Sequence, residues 1–231
     1  MDYRALAYQA VERLDDWIEE NGWAGYDPFD IKGLPLTLYL QRRRDRWAFR
    51  NLFRRGLWAS FELFPILTRR LFAVNKAVNA KGMGLLADGY LSLSKFTGDD
   101  DHRRKAQECL DWLNAHVCEG YAGHCWGYPF DWQSRVFIPA GTPSAVVTTT
   151  VGNAYWNFYK STGEPHYLTI CESICRFFLT DLNIDEIDQD RLCFSYTPVD
   201  NFHVNNANLF AAEFLIRVGT EAGNDEFVRQ G

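Results

Sequence analysis

Long apolar runs are absent from this 231-residue sequence: no stretch reaches the roughly 18 residues that a membrane-spanning helix requires. The first residues, MDYRALAYQAVERLDDW, have the spacing of an amphipathic helix. They lack the basic segment followed by an apolar one that marks a signal peptide. The sequence therefore predicts a cytoplasmic protein without a membrane-spanning helix.

Several catalytic signatures are missing as well. The chain has no Gly-rich phosphate loop, no nucleophile elbow and no HExxH helix. Its six cysteines form no CxxC pair, and Cys171 and Cys175 fall on one apolar helical stripe, which favours reduced core thiols over disulfides or metal ligands. The sequence therefore predicts neither a metal site nor a cofactor.

The charge balance is acidic, with a net charge of −6, which argues against general nucleic-acid binding. Positive charge is nevertheless concentrated in residues 41–55, QRRRDRWAFRNLFRR, and the following residues 57–72 are apolar between basic ends. One interpretation is a contact of residues 41–72 with an anionic membrane surface or a polyanion. The other is a solvated helix face followed by a core helix.

An internal repeat organises the rest of the chain. YLSLSKFTGD (90–99) aligns with YWNFYKSTGE (155–164) at an offset of 65, and apolar positions continue that register. Each unit reads as a helix, a Thr-Gly-acid turn and a second helix, because glycine favours the left-handed turn that ends a helix. A third unit begins near Asn205, with an apolar stripe that includes Phe210 and Phe214. The register makes VVTTTV (146–151) helical despite its β-branched residues.

This pattern predicts a single all-α domain over residues 1–231. Residues 1–76 form N-terminal hairpins that include the Arg-rich segment 41–55, and residues 77–231 form the clear hairpin repeats. The segment from Leu34 to Phe72 is predicted to hold two helices. The third unit stops as its second helix begins, so we expect an incomplete set of hairpins, whose apolar edge would favour a homo-oligomer.

Aromatic residues make up 16% of the chain, more than a core usually needs, and many belong to a motif of aromatic, proline and aspartate. The motif occurs as GYDPFD (25–30), CWGYPFDW (125–132) and CFSYTPVD (193–200). Even numbers of predicted helices separate the copies, so all three should lie on one rim, the end of the hairpins that carries these loops. Alternation in CWGY and CFSY predicts short strands with one aromatic face.

Helical hairpins with long loops at one end are typical of an (α/α) toroid. On the hairpin repeat, the TGD and TGE turns and the WGYPFDW loop, residues 78–228 resemble the six-hairpin superfamily of polysaccharide-active enzymes. The resemblance implies an all-α (α/α) toroid with strand-like rim loops and a saccharide or polysaccharide as the partner. Such rings usually contain more helices than this chain supplies, so the toroid is predicted to be incomplete.

Asp131 and Asp200 are the leading catalytic candidates. Carboxylates on neighbouring hairpin loops could lie at the roughly 6.5–9.5 Å that an inverting glycoside hydrolase needs, with one as general acid and the other as base. Asp30 is a third candidate carboxylate, for binding substrate. An aspartate that follows proline is equally an ordinary turn or helix-capping residue, and this alternative stays open for all three.

Other residues of the same loops are candidates for binding substrate. Flat aromatic faces suit sugar rings, and the candidates are Tyr26, Trp126, Tyr128, Trp132, Phe194 and Tyr196. The alternative is that the same residues are hydrophobic staples. Arg135 suits the carboxylate of a uronic or sialic-type sugar, or pairs with Asp131. His203 suits general base work, and Asn205 and Asn206 suit hydroxyl recognition or helix capping. A lyase or epimerase would use His203 beside a carboxylate held by Arg135.

Two other classes of function remain open. A non-catalytic glycan-binding or scaffold toroid would use the aromatics for binding and the aspartates only as caps. An isoprenoid cyclase or prenyltransferase is also a toroid of aromatic-lined hairpins. The loop GHCWG (123–127) resembles that of zinc-dependent lanthionine cyclases, for which His124, Cys125, Cys193 and His203 would have to converge, although their Cys-His-Gly signature is missing.

Overall fold

A computed structural model describes residues 3–42 and 48–231, and its fold is all-α. The helices are α1 (Tyr3–Asn21), α2 (Pro35–Arg42), α3 (Ala48–Leu63), α4 (Pro65–Leu71), α5 (Ala80–Thr97), α6 (Asp100–Ala115), α7 (Ala145–Thr162), α8 (Pro165–Thr180), α9 (Asn205–Ala222) and α10 (Asp225–Gln230). A short 3-10 turn covers Asp30–Gly33. Two small antiparallel hairpins, β1 (Trp132–Gln133) with β2 (Phe137–Ile138) and β3 (Ile184–Asp188) with β4 (Arg191–Phe194), lie in the connections between helices.

The predicted hairpin repeat is confirmed, and its offset of 65 holds at both ends of each helix. α5 and α7 begin and end 65 residues apart, and each stops at a left-handed glycine, Gly98 or Gly163. The caps that start them, Asn79 and Ser144, accept backbone hydrogen bonds from the first turn. α9 has the same length as α5 and α7 and ends at the left-handed Gly223.

The β-branched segment 146–151 is helical within α7, as the repeat predicts. Burial overrides its propensity: Val147 and Val151 are fully buried, and the Thr149 hydroxyl donates to the Ala145 carbonyl 2.8 Å away.

The third unit differs from its prediction in one detail. Phe214 is buried, but Phe210 is 47% exposed and lies outside the stripe on which it was predicted.

The core of the repeats lies between α5, α6, α7, α8 and α9: α5 packs against α6, α7 packs against α8, and α7 also contacts α5 and α9. Its largest fully buried side chains include Tyr155, Phe158, Phe177, Phe178 and Phe214. A second, smaller cluster of Ile31, Leu40, Leu57 and Phe61 supports the N-terminal part. The described residues therefore form two core clusters of unequal size, and the larger one includes Cys125 and Trp126 of the second motif copy.

The segment from Leu34 to Phe72 contains three described helices, α2, α3 and α4, where the sequence predicted two. Pro65 occupies the first turn of α4 and separates it from α3. Part of the Arg-rich segment, residues 43–47, lies outside the described residues. Among the described helices, none combines the length and apolarity that crossing a bilayer would require.

Candidate active site

The first two motif copies line one cavity of about 470 Å³, which we call the carboxylate cavity. The first copy contributes Tyr26, Asp27 and Asp30, and the second contributes Phe130 and Asp131. Trp23, two residues after the end of α1, also lines it. Two of the three predicted motif copies therefore share a site, and the third does not line this cavity.

Close backbone packing brings these two copies together. Gly25 and Ala77 exchange backbone hydrogen bonds of 3.1 and 3.0 Å, which fixes the first loop beside the start of α5. Gly33, which ends the 3-10 turn, lies against the backbone of Asp131. A Cβ atom added at Gly33 would lie 2.9 Å from the Asp131 carbonyl oxygen, so a larger residue would push the two loops apart.

Asp131 is half-buried, and its Oδ1 accepts a hydrogen bond of 2.7 Å from the backbone N–H of Ala140. This bond explains its place in the turn, and it leaves the second oxygen with no hydrogen-bond donor among the described residues. Asp131 therefore acts as a turn residue and also presents an unsatisfied carboxylate oxygen to its surroundings.

Asp27 is the second carboxylate with access to the cavity, and sequence reasoning missed it. Its Oδ1 accepts from the Phe29 backbone N–H at 2.8 Å, and its Oδ2 accepts from the Asn79 side-chain amide at 2.7 Å. The Asn79 oxygen in turn caps α5 by accepting from the Lys81 backbone N–H at 3.0 Å. Asp27 is thereby held rigidly by the start of the first repeat helix. The only sequence signal was its position in YDPFD.

Asp30 lines the same cavity, but its charge is already paired. The buried guanidinium of Arg69 donates from Nε to both carboxylate oxygens of Asp30. Its other nitrogens donate to the carbonyls of Pro65 and Asp27, at 3.1 and 3.0 Å. Asp30 thus anchors the first loop to α4 through an ion pair and not as a helix cap, and it is less suited to bind substrate.

Lys32 is a cation beside the cavity that the sequence did not single out. Its Nζ lies 4.2 Å from the centroid of the Phe29 ring and 6.0 Å from that of Trp132. Burial lowers the pKa of Lys32, while the nearby Asp27 carboxylate acts in the opposite direction. No local pattern marks this residue, because its aromatic partners belong to different motif copies.

Trp126 is not a sugar-binding surface, which corrects its predicted role. The side chain is only 1% exposed; its Nε1 donates to the Leu113 carbonyl at 2.9 Å, and its ring stacks on Tyr155.

The predicted CWGY strand is also wrong. Cys125 and Trp126 are both buried, so the faces do not alternate, and Gly127 forms only an isolated bridge with Pro143.

The other predicted aromatics form one connected group. The hydroxyls of Tyr128 and Tyr196 lie close enough to affect each other's pKa, and burial raises the pKa of both phenols. Trp132 lies edge-on to Tyr196, with ring centroids 5.9 Å apart, and Tyr128 stacks on Phe130 of the carboxylate cavity. The CFSY strand is confirmed in part, because β4 ends at Phe194, which is buried.

Asp200 does not share a cavity with Asp131, which corrects the predicted catalytic pair. It is 4% exposed. Its Oδ1 accepts from the backbone N–H groups of Tyr196 and Phe202 at 3.1 and 3.0 Å, and its Oδ2 accepts from the Thr197 hydroxyl. Its oxygens are thus committed to its own loop. Asp200 is the anchor of the third motif copy rather than a carboxylate available to substrate.

His203 and Arg135 line a different cavity of about 670 Å³, which we call the histidine cleft. His203 Nε2 lies 2.8 Å from a carboxylate oxygen of Asp185, and the Arg135 guanidinium lies 5.7 Å from the Phe202 ring centroid. The predicted Asn205 and Asn206 are exposed in the first turn of α9 and line neither cavity. His203 and Arg135 therefore line the same cavity, whereas Asp131 lines a different one.

The four residues of the zinc alternative occupy different surroundings. His124 bonds to the Ser173 hydroxyl and His203 to Asp185, while Cys125 and Cys193 are buried. Within residues 3–42 and 48–231, no group of three or more potential ligands is arranged to hold a metal ion. The convergence of His124, Cys125, Cys193 and His203 that the zinc alternative requires is therefore not found among the described residues.

Comparison with known proteins finds similarity among solved structures. No family model and no curated protein matches the chain. Among solved structures, it is similar to the crystal structure of a family 76 glycoside hydrolase from a bovine Bacteroides thetaiotaomicron strain, with 13% sequence identity and a TM-score of 0.47. The match covers 68% of this chain and 35% of that one, so it spans about a third of the length of that structure.

Proposed function

We propose that this protein is a carbohydrate-active enzyme that binds a saccharide in the carboxylate cavity and hydrolyses a glycosidic bond with Asp131. The observation that carries this proposal is the meeting of two motif copies, which brings Asp27 and Asp131 to one cavity between Trp23, Tyr26 and Phe130. Ligand sites are typically concave and aromatic, with a few fixed polar groups. A sugar matches such a site because its ring has apolar faces and its edge carries hydroxyls.

The two carboxylates are suited to different tasks. Glycoside hydrolysis needs one carboxyl group as a proton donor to the leaving oxygen and a second as a base or nucleophile. Asp131 has an oxygen without a hydrogen-bond donor among the described residues, so we assign it the proton transfer. Asp27 accepts two hydrogen bonds that fix the position of its carboxylate, which suits the base or nucleophile. Asp30 is neutralised by Arg69 and takes neither role.

The test is release of reducing ends from a panel of neutral and acidic oligosaccharides. We expect Asp131→Asn and Asp27→Asn each to lower kcat by about 100-fold or more, because each removes a group that acts in proton transfer or bond formation. Asp190→Asn, in the exposed turn between β3 and β4, is the matched control and should retain full activity. Full turnover by Asp131→Asn would refute the assignment. Saccharide binding without any turnover would favour the non-catalytic alternative.

A second candidate function rests on the histidine cleft. His203 lies 2.8 Å from Asp185, an arrangement that can orient a histidine as a general base. Such a base would serve a lyase or epimerase, which abstracts a proton next to a sugar carboxylate. This alternative predicts unsaturated or epimerised products that are lost in His203→Gln but retained in Asp131→Asn. The opposite pattern supports the hydrolase.

A further inference from the structure

A third cavity, of about 540 Å³, lies beside the second motif copy, and we call it the arginine cleft. It is lined by Gln41, Arg54, Trp58, Gln133, Ser134 and Arg135. Gln133 is two residues beyond Asp131, which corresponds to about 7 Å along an extended chain. Arg135 also lines the histidine cleft. The segment from Phe130 to Arg135 therefore borders all three cavities in turn.

The described lining of this cleft contains two guanidinium groups and no carboxylate. Arg54 comes from α3 and is half-buried, whereas Arg135 comes from the turn between β1 and β2. Neither guanidinium is paired with a carboxylate of the described residues. This concentration of positive charge stands out in a chain with a net charge of −6. Such a site attracts an anion.

The neighbouring polar groups also favour a ligand. Arg42 donates from Nε to the Gln133 side-chain oxygen at 3.2 Å, which adds a third guanidinium next to the cleft. The side-chain oxygen of Gln41 is buried and accepts no hydrogen bond among the described residues. A buried acceptor without a donor is costly, and a ligand hydroxyl would satisfy it. The cleft thus offers cationic donors, one open acceptor and the Trp58 ring.

We propose that the arginine cleft binds the carboxylate of a uronic acid unit, so that the saccharide of the carboxylate cavity belongs to an acidic glycan. The inference rests on the proposed function. A planar guanidinium matches a carboxylate through two parallel hydrogen bonds, and Trp58 supplies an apolar face for the ring that carries it. A uronate also has hydroxyl groups, which can donate the hydrogen bond that is missing at the buried side-chain oxygen of Gln41.

The experiment compares binding of trigalacturonate with binding of the neutral trisaccharide of galactose, by isothermal titration calorimetry on the full chain. We expect Arg54→Gln and Arg135→Gln each to weaken trigalacturonate binding about tenfold or more, because each removes a charge-assisted hydrogen bond. Binding of the neutral trisaccharide should not change in either variant. Arg55→Gln, the next residue on α3, does not line the cleft and is the matched control. Far-UV circular dichroism and thermal unfolding establish that each variant is folded.

The outcomes separate this inference from the function on which it rests. Equal affinity of the wild-type protein for the acidic and neutral trisaccharides overturns the carboxylate site alone. An equal loss in Arg55→Gln also overturns it, since the effect would then come from general charge. Failure of the wild-type protein to bind any saccharide of the panel overturns the proposed function and the uronate site together.

Discussion

Arg69 of α4 donates from Nε to both carboxylate oxygens of Asp30, at 3.0 and 3.1 Å, and the two side chains are only 7% and 9% exposed. The same guanidinium donates to the carbonyl oxygen of Asp27. A single buried arginine thus links α4 to the loop of the first motif copy. It also holds the backbone of a carboxylate that we assign to catalysis.

Loss of Arg69 should therefore destabilise the fold as well as the site. Arg69→Met leaves the Asp30 carboxylate buried without a partner, which typically costs about 3–5 kcal/mol in the free energy of unfolding. The double variant Arg69→Met with Asp30→Asn should recover part of that loss, since no buried charge remains. Urea denaturation followed by tryptophan fluorescence measures both values. Arg104→Met breaks the exposed Arg104–Asp101 pair and should change stability much less. Equal midpoints for Arg69→Met and wild type would contradict this prediction.

The hairpin repeat was predictable because its signals are local. Left-handed glycines at Gly98, Gly163 and Gly223 end helices of equal length, and the apolar spacing between them is that of a buried helix face. The same periodicity overrode the β-propensity of residues 146–151. The all-α class and the order of the repeat helices follow from these features alone.

The site was only partly predictable, because its contacts are not local. Trp126 and Trp132 belong to one motif, but only Trp126 is buried, where its indole N–H donates a hydrogen bond to the carbonyl of Leu113 in α6. Arg69 reaches Asp30 across 39 residues, and no pattern near either residue indicates that pairing. A repeated motif showed which loops to compare, but it did not reveal that Asp131 would line a cavity and Asp200 would anchor its own loop.

A second prediction concerns the glycine of the WGYPFDW loop. A Cβ atom at Gly127 would overlap the carbonyl of Thr142, so Gly127→Ala must displace the backbone that leads to Asp131. We expect a loss of about 1–3 kcal/mol in stability, together with weaker saccharide binding. Gly89 lies within α5 and has nothing within 4 Å of its added Cβ. Gly89→Ala is the control and should raise stability by about 0.5–1 kcal/mol. Thermal unfolding of both variants tests whether the two changes in stability have opposite signs.

A third prediction concerns the docking of α1 and its pH dependence. Asp15 accepts hydrogen bonds from the Tyr90 hydroxyl at 2.6 Å and the Lys105 ammonium at 2.8 Å. Burial raises the pKa of Asp15, but these two hydrogen bonds outweigh burial and the pKa is lowered. A carboxyl whose pKa is lower in the folded state stabilises the fold above its unfolded pKa of about 3.9, and this contribution is lost as the pH falls through the folded value.

Asp15→Asn should therefore lower stability at pH 7 by about 1 kcal/mol, and the difference from wild type should shrink below about pH 4. Hydrogen exchange of the α1 amides, measured at both pH values, reports the same change locally. Asp16→Asn, on the exposed side of α1, is the matched control and should behave as wild type. A stability difference between Asp15→Asn and wild type that stays constant down to pH 2 would contradict the assignment.

The last prediction concerns the thiol next to the second motif copy. The neighbouring Cys125 thiol lowers the pKa of Cys118 despite partial burial, whereas burial raises the pKa of Cys109 and Cys171 to about 12. Cys118 is also the one cysteine of the six that is not fully buried. Thiolate is the nucleophilic form, so iodoacetamide at pH 7.5 should alkylate Cys118 first. As the pH is raised, the alkylation rate of Cys118 should reach its plateau at a pH below the usual thiol pKa of about 8.5. Mass spectrometry of tryptic peptides identifies the site, and Cys118→Ser should remove the fast phase. Alkylation of Cys109 or Cys171 at the same rate would show that access to the thiols, not their pKa, controls the reaction.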